Sequence, residues 1–242
     1  MPVSIGFSPK NRLLSSLPGA ELDHLRPHLQ RVTLRQKQVL HEAGAAVEHI
    51  YFIEEGLASV VTTMADGTGI EVLMIGQEGV IGVPYLLGAE TSPQQAIMQV
   101  PGNAWRMSAA AARAEFEQNG RLRHMVLRHA GASLGMMSQT AACNRLHSVE
   151  QRCARWLLNA SDRIAANTMP MTHEFLSFLL GVRRSGVTAA AGELQRSGLI
   201  RYRRGQLTIA DRVGLQACAC ECYQFDRRQL DWQRSEPGPT SV

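Results

Sequence analysis

The segment THEFLSFLLGVRRSGVTAAAGELQRSGLIRYRRGQLTI, residues 172–209, decides how the rest of the chain is interpreted. Thr172 precedes a short run rich in leucine, which predicts a capped helix of about two turns ending at Gly181, where a left-handed conformation is easily tolerated. A second helix is predicted from near Arg184. Its apolar residues recur at helical spacing and should face inward: Val187, Ala190, Ala191 and Leu194.

The opposite face of the second helix is polar, as expected for contact with the major groove of DNA. An arginine at the start of such a helix can donate two parallel hydrogen bonds to guanine O6 and N7, and a threonine methyl group can contact thymine. Ser185 and Thr188 are equally suited to contact phosphate. We predict base-reading roles for Arg183, Arg184, Ser185 and Thr188.

A basic hairpin follows the second helix. Residues 198–209 alternate between apolar and polar side chains, with Gly205 at the predicted tip and arginines along the strands. Two short helices, a glycine turn and a basic hairpin in this order indicate a winged helix-turn-helix. The predicted contacts to DNA phosphates are Thr172, His173, Gln195, Arg201, Arg203 and Arg204.

The composition favours a globular intracellular protein. The chain has 242 residues, is 45% hydrophobic and carries a formal net charge of +4. Lys10 and Lys37 are the only lysines, and the arginine bias suits phosphate but also arises in GC-rich genomes. We find neither a secretory signal nor an apolar run of roughly 18 residues that would span a membrane. The expectation is a cytoplasmic protein without membrane contact.

Cysteine is confined to the second half of the chain. Five cysteines are an odd number, which argues against a disulfide framework. Cys218, Cys220 and Cys222 form a C-x-C-x-C pattern, but no second cysteine or histidine cluster with zinc spacing completes it. We therefore predict no metal and no cofactor, and leave open whether the three thiols have a redox or metal role.

The first half of the chain is dominated by short β-like runs, which follow short helices between Leu13 and Leu29. Asp66-Gly67 between two of the runs is a strong hairpin signal. Such spacing predicts a small antiparallel barrel or jelly roll. The clearest runs are His49 to Ile53, Leu57 to Thr63, Ile70 to Ile75 and Ala96 to Val100.

From Ser108 the sequence becomes helical, with Ser108 as a cap for Ala109 to Glu117. A long helix is predicted from Gly120 to about Leu146, another from Ser148 to Ile164, and then a break. The long helix carries a heptad-like stripe that favours a homodimer seam over packing on the chain's own barrel, and Gly131 and Gly135 would allow close approach. The predicted seam is Leu127, Ala130, Leu134, Met137 and Ala141.

Several motifs resemble the Crp/Fnr superfamily of bacterial regulators, over about Leu13 to Leu215. The most specific are residues 50–56, Ile81-Gly82, residues 148–152 with 155–158, and residues 181–184 with Val187-Thr188. The resemblance implies an α+β fold: an N-terminal antiparallel β-roll (jelly roll), a long dimerisation helix and a C-terminal winged helix-turn-helix. The expected boundaries are 1–119, 120–147 and 148–230, with a disordered tail at 231–242.

The resemblance also implies an effector pocket, but this sequence departs from it. Family members that bind a cyclic nucleotide carry Gly-Glu and later Arg-Ser-Ala, where this chain has Gly82-Val83-Pro84 and Gln94-Gln95-Ala96. Glutamine cannot neutralise a cyclic phosphate, so we expect a vestigial or altered pocket and no cyclic AMP response. No cysteine precedes Cys143, which argues against the family's iron–sulfur cluster. His41 or His49 stays open as a haem ligand.

The second helix of the motif departs from the family pattern as well. Arg184 keeps the main guanine contact, but Ser185 and Ala189 replace a glutamate and a second arginine of the catabolite-activator pattern. The operator should therefore differ from the family's best-known half-site, and Arg183 is a candidate to compensate.

We predict a homodimeric transcription regulator that binds double-stranded DNA at a pseudo-palindrome, with RNA polymerase as a further partner. The alternative is a sensor of a small molecule, such as a cyclic dinucleotide or haem, or a scaffold whose winged helix contacts proteins. The sequence shows no phosphate-cradling loop, zinc-protease motif or nucleophile elbow, so no enzymatic activity is expected.

Overall fold

The computed structural model describes residues 7–231, and the first elements in this range are short helices. They are α1 (Arg12–Ser15), α2 (Gly19–Leu25) and a 3-10 turn at Arg26–His28. Asn11 caps α1, because its side-chain oxygen accepts hydrogen bonds from the backbone N–H groups of Leu13 and Leu14.

Antiparallel strands form two facing sheets in the N-terminal region, which confirms the predicted β-roll. One sheet has the order β1-β8-β3-β6 and the other β2-β7-β4-β5, and the short helix α3 (Val83–Leu86) follows β6. The strands are β1 (Gln30–Leu34), β2 (Val39–His41), β3 (His49–Ile53), β4 (Leu57–Thr63), β5 (Gly69–Ile75), β6 (Val80–Ile81), β7 (Gln95–Val100) and β8 (Gly102–Ser108).

The predicted hairpin joins β4 to β5. The Met64 N–H donates to the Thr68 carbonyl at 2.8 Å, and Gly67 has a left-handed φ of 83°. Asp66 completes the turn by accepting from the Thr68 N–H at 2.9 Å. The Asp-Gly signal therefore located this turn correctly.

Three helices follow the β-roll: α4 (Ala109–Glu117), α5 (Arg121–Leu146) and α6 (Val149–Ile164). Ser108 caps α4 as predicted, and Ser148 with Gln151 forms a capping box at α6. The start of α5 is capped from another helix, since the Glu21 carboxylate accepts from the backbone N–H groups of Arg121 and Leu122. This negative charge also complements the positive end of the helix dipole.

The C-terminal region combines short helices with a small sheet. The segment expected to be a simple break contains β9, which pairs with β11 through Met169 and Leu207. Of the predicted disordered tail, Asp231 ends a helix and residues 232–242 lie outside the described range. The elements are β9 (Thr168–Pro170), α7 (His173–Leu180), α8 (Arg184–Arg196), β10 (Ile200–Arg203), β11 (Gln206–Ile209), α9 (Arg212–Cys218) and α10 (Cys222–Asp231).

Helix α6 packs against the β-roll through two buried polar contacts. Arg163 Nε lies 2.9 Å from Glu78 Oε1, and both side chains are at most 5% exposed. The Trp156 indole N–H donates to Glu71 Oε1 at 2.9 Å. Burial raises the pKa of Glu71 to about 7, although hydrogen bonds from Ser59 and Trp156 act in the opposite direction.

Among the described residues, no helix has the length and apolar character that crossing a membrane requires.

Candidate functional site

Helices α7 and α8 form the predicted helix-turn-helix around a tight glycine turn. Gly181 is left-handed, with a φ of 61°, and a Cβ at this position would lie 2.7 Å from Ile70 Cδ1 of β5. Glycine is therefore required both by the turn and by close packing on the β-roll. The predicted inward face of α8 is confirmed, because its four apolar members are all buried: Val187, Ala190, Ala191 and Leu194.

The outward face of α8 presents the predicted base-reading residues together at the start of the helix. Arg183 is the N-cap, Arg184 the first helical residue, and both side chains are exposed with Ser185 and Thr188 beside them. The N-terminal end of a helix also offers unpaired N–H groups and a partial positive charge. This end of α8 is consequently well suited to an anionic, hydrogen-bonding partner.

A contact network that the sequence did not predict joins α7, α8 and the hairpin. His173 Nδ1 lies 3.2 Å from Thr188 Oγ1, and the His173 ring meets the Tyr202 ring edge-on at 4.7 Å. Gln195 Oε1 accepts from the Tyr202 N–H at 3.3 Å. Gln195, predicted to contact phosphate, thus links the helix to the hairpin, and Tyr202 could have been found from its inward position between two outward arginines.

His173 contributes little positive charge to this surface at neutral pH. Partial burial lowers its pKa, and the nearby positive charge of Arg184 lowers it further. The imidazole is therefore neutral at pH 7, and it can donate one hydrogen bond to phosphate but cannot neutralise it. Thr172, also predicted as a phosphate contact, is exposed and caps α7 by accepting from the Phe175 N–H.

Strands β10 and β11 form the predicted basic wing. Arg203 pairs with Gln206, so Arg204 and Gly205 make a two-residue turn. Both have positive φ angles, 50° and 76°, which is the pattern of a type I′ turn. Arg201, Arg203 and Arg204 are all exposed, on a hairpin whose Tyr202 N–H donates to Gln195 of α8.

A cavity of about 450 Å³ lies between the β-roll and α5, at the predicted effector pocket. Gly82, Val83, Pro84 and Gln94 line it as expected, and the described lining residues include neither arginine nor lysine. The prediction that Gln95 belongs to the pocket is wrong, because Gln95 does not line the cavity. Its amide donates to Glu42 Oε2 at 2.6 Å instead. The alternation of β7 explains this, because consecutive side chains point to opposite faces.

The cavity wall is mainly apolar but contains some polar groups. His129 of α5 is fully buried, and burial lowers its pKa to about 4. The Ser133 hydroxyl has no hydrogen-bond partner among the described residues. His41 lines the cavity and burial lowers its pKa. His49, the other candidate haem ligand, does not line this cavity and lies beside the Tyr51 ring.

The predicted dimer stripe on α5 is only partly covered by its own chain. Leu127 is 43% exposed and Leu134 is 67% exposed, while Ala141 is exposed and Ala130 and Met137 are half-buried. Gly131 has open space around it, but Gly135 faces α10, with Phe225 Cζ 3.6 Å from the position of a Cβ. Gly135 therefore serves packing within the chain.

The interpretation that nothing completes the C-terminal cysteine pattern is wrong. Cys143 and His147 at the end of α5 meet Cys220 and Cys222, and one potential ligand atom from each lies within 4.8 Å of the others. Cys218, the remaining member of the pattern, is not part of this group and bonds Glu150 instead. The sequence did not reveal this group, because Cys143 and Cys220 are 77 residues apart and zinc motifs are usually recognised by short spacings.

Comparison with known proteins relates both halves of the chain to described domains. Residues 31–119 match the model of the cyclic nucleotide-binding domain, and residues 151–218 match that of the Crp-like helix-turn-helix domain. Together the matches span well over half of the chain. No curated protein sequence matches the chain significantly.

Solved structures share this fold at low sequence identity. FixK2 from Bradyrhizobium japonicum has a TM-score of 0.68 at 15% identity, covering 79% of this chain and 98% of its own. A CRP-family transcriptional regulator from Thermus thermophilus has a TM-score of 0.67 at 20% identity, covering 78% and 96%. The c-di-GMP responsive global regulator CLP of Xanthomonas campestris has a TM-score of 0.66 at 15% identity, covering 79% and 99%.

Proposed function

Because the chain belongs to the Crp/Fnr superfamily of transcription regulators and carries its helix-turn-helix DNA-binding domain, we propose that it binds a pseudo-palindromic operator as a homodimer. The observation that carries this proposal is the exposed polar start of α8 beside an arginine-bearing hairpin. We place this activity in the cytoplasm, with RNA polymerase as a further partner.

The start of α8 reads bases in this proposal. Arg184 donates two hydrogen bonds to guanine O6 and N7, and Arg183 supplies a second cationic donor one residue earlier. Ser185 and Thr188 contact base edges or the adjacent phosphate. Thr188 is held by His173, so its methyl group is presented in a fixed orientation, which favours a direct contact with thymine.

The wing supplies sequence-independent affinity. Arg201, Arg203 and Arg204 lie on a hairpin that β9 and the Gln195 contact hold against the helix-turn-helix. Because the backbone of the hairpin is already ordered, its arginines can neutralise phosphates without a further loss of backbone entropy on binding. Thr172 and His173 add neutral hydrogen bonds to the same backbone.

The exposed stripe of α5 forms the dimer seam. Leu127 and Leu134 are large aliphatic side chains left in solvent by their own chain, and Ala130 and Gly131 allow another helix to approach closely. Two antiparallel or parallel copies of a 26-residue helix would bury these residues against each other. In such a dimer, the two copies of α8 would enter successive major grooves, about one helical turn apart.

The cavity does not bind cyclic AMP in this proposal. A cyclic phosphate carries a negative charge that would lose its hydration on entering a mainly apolar cavity, and the described lining offers no arginine or lysine to replace it. The wall of His129, Ser133 and aliphatic side chains fits a neutral, largely apolar molecule better. Isothermal titration with cyclic AMP tests whether this ligand is excluded, and micromolar binding would contradict the proposal. The same titration with cyclic di-GMP and haem tests the alternative ligands.

The DNA-binding proposal is tested by selecting operators from a random duplex library with the full-length protein. We expect an enriched inverted repeat whose half-sites are centred about one helical turn apart. Enrichment of a single unrepeated half-site would contradict the dimer, and recovery of unselected sequence would contradict specific recognition. The alternative of a protein-contacting winged helix predicts this second result.

A further inference from the structure

Four potential metal ligands meet where the long helix α5 ends. Cys143 lies in the last turn of α5 and His147 is its C-cap residue, while Cys220 and Cys222 flank the start of α10. One atom from each lies within 4.8 Å of all the others, and the three cysteines are buried. Three sulfurs and one imidazole nitrogen form one of the usual donor sets of structural zinc sites.

The distances within the group match the edges of a tetrahedron. Zinc bonds sulfur at about 2.3 Å, so two sulfurs on a tetrahedral ion lie about 3.8 Å apart. Cys143 Sγ and Cys220 Sγ are 3.6 Å apart, and Cys222 Sγ lies 3.6 Å from His147 Nδ1. A disulfide requires about 2.05 Å between sulfurs, and these cysteines are free thiols.

The surroundings of the group orient its ligands. His147 Nε2 lies 3.2 Å from Glu221 Oε1, so the ring can donate its proton to the carboxylate and turn Nδ1 towards the sulfurs. This carboxylate–histidine arrangement is common behind metal-bound imidazoles. The Gln139 amide donates to Cys222 Sγ at 3.0 Å, a bond that stabilises sulfur as a thiolate.

The charges beside the group also fit a bound ion. Three thiolates and one Zn²⁺ carry a net charge of −1, which needs compensation where the sulfurs are buried. Arg152 and Arg155 of α6 are near enough to interact electrostatically with Cys143. Arg155 also pairs with Asp226 at 2.8 Å, so it is fixed in place beside the sulfurs.

We propose that Cys143, His147, Cys220 and Cys222 bind one Zn²⁺ ion. All four positions are filled by protein, as in structural rather than catalytic zinc sites. An iron–sulfur cluster places iron and sulfide between its ligands and would hold them farther apart than this group does. The ion ties the joint between α5 and α6 to α10.

This position gives the ion a role in DNA binding that rests on the proposed function. His147 lies between the proposed dimer helix and α6, which carries the helix-turn-helix. Metal binding at this joint restricts how α6 and the attached α8 are oriented relative to α5. Loss of the ion should therefore weaken operator binding through orientation, without removing a residue that contacts DNA.

The first test measures metal and thiols in full-length protein purified without chelator. Mass spectrometry of the metals should give one zinc per chain in the wild type, and less than one tenth of that in Cys143→Ser and Cys222→Ser. Cys218→Ser is the matched control, because this cysteine belongs to the same C-x-C-x-C pattern but lies outside the group. It should retain full zinc.

A second measurement keeps the test independent of variant folding. Wild-type protein stripped of metal and titrated with Co²⁺ should develop the visible and near-ultraviolet bands of a tetrahedral thiolate site, with an end point at one ion per chain. Zinc should then displace the cobalt. Iron with acid-labile sulfide, a Cys143–Cys220 disulfide, or no uptake of Co²⁺ would each overturn the proposal. None of these measurements involves DNA, so they are independent of the proposed function.

Discussion

Replacing Glu78 by glutamine should destabilise the protein strongly, because it leaves the buried positive charge of Arg163, between the β-roll and α6, without its countercharge. Glu78 Oε1 accepts hydrogen bonds from Arg163 Nε–H, at an N–O distance of 2.9 Å, and from the Gly76 N–H, at 3.1 Å. Arg163 is 3% exposed and also donates to the Asn159 carbonyl. Glutamine preserves the shape of the side chain but removes the countercharge.

The expected cost follows from burial on both sides of the pair. Removing one partner of a buried ion pair costs about 3–5 kcal/mol, since the remaining ion stays desolvated. For a chain of this size, 1 kcal/mol changes the melting temperature by about 2–4 °C. We therefore expect Glu78→Gln to lower the melting temperature by about 6–20 °C in thermal unfolding. Urea unfolding should show the corresponding loss of about 3–5 kcal/mol in the free energy of unfolding.

Matched variants separate the charge from the loss of a side chain. Glu90→Gln changes an exposed carboxylate and should cost less than about 0.5 kcal/mol. The double variant Glu78→Leu, Arg163→Met removes both charges and should recover more than half of the loss. A cost below about 1 kcal/mol for Glu78→Gln, or a double variant less stable than Glu78→Gln, would refute this reasoning.

Three further predictions concern the wing, the dimer seam and a buried acid. In fluorescence anisotropy titrations, Arg203→Gln should reduce the slope of log K against log salt by about 2, because a dimer would lose one phosphate contact per chain. An unchanged slope would show that Arg203 of the wing does not contact phosphate. Leu134→Glu should convert the proposed dimer to a folded monomer in sedimentation velocity, because two carboxylates would face each other at the proposed seam; a persistent dimer would place the seam elsewhere. Burial raises the folded-state pKa of Glu71 from 4.5 to about 7, so the native state holds this proton more tightly and stability is lost as pH rises through about 7. Glu71→Gln should remove up to about 3 kcal/mol of that loss between pH 5 and 8, and urea unfolding curves that keep the wild-type pH dependence would contradict it.

Local sequence signals predicted the elements of this fold well. Ser108 and Thr172, the two predicted caps, each precede a helix and cap it in the structure. Asp66-Gly67 marked a hairpin, and Gly205 marked the wing turn. These signals work because a cap or a turn depends on a few adjacent residues, whose hydrogen bonds do not require the rest of the fold.

Contacts between distant segments could not be derived in the same way. Cys143 meets Cys220 across 77 residues, and only the packing of α10 along α5 brings them together. Strand β9 is too short to show a period, and its pairing with β11 depends on where the wing lies. Gln95 was assigned to the cavity by analogy with a family motif, whereas the alternation of β7 turns its side chain towards Glu42.

The contribution of Arg184 to operator binding tests the central claim most directly. Using the operator selected from random DNA, binding is measured for the wild type, Arg184→Ala and the control Arg228→Ala, an exposed arginine on α10. We expect Arg184→Ala to weaken operator binding by about 1–3 kcal/mol per half-site and to lose the preference for one guanine in each half-site, while Arg228→Ala binds as the wild type. If Arg184→Ala retains wild-type affinity and base preference, α8 does not read DNA as described and the account is contradicted.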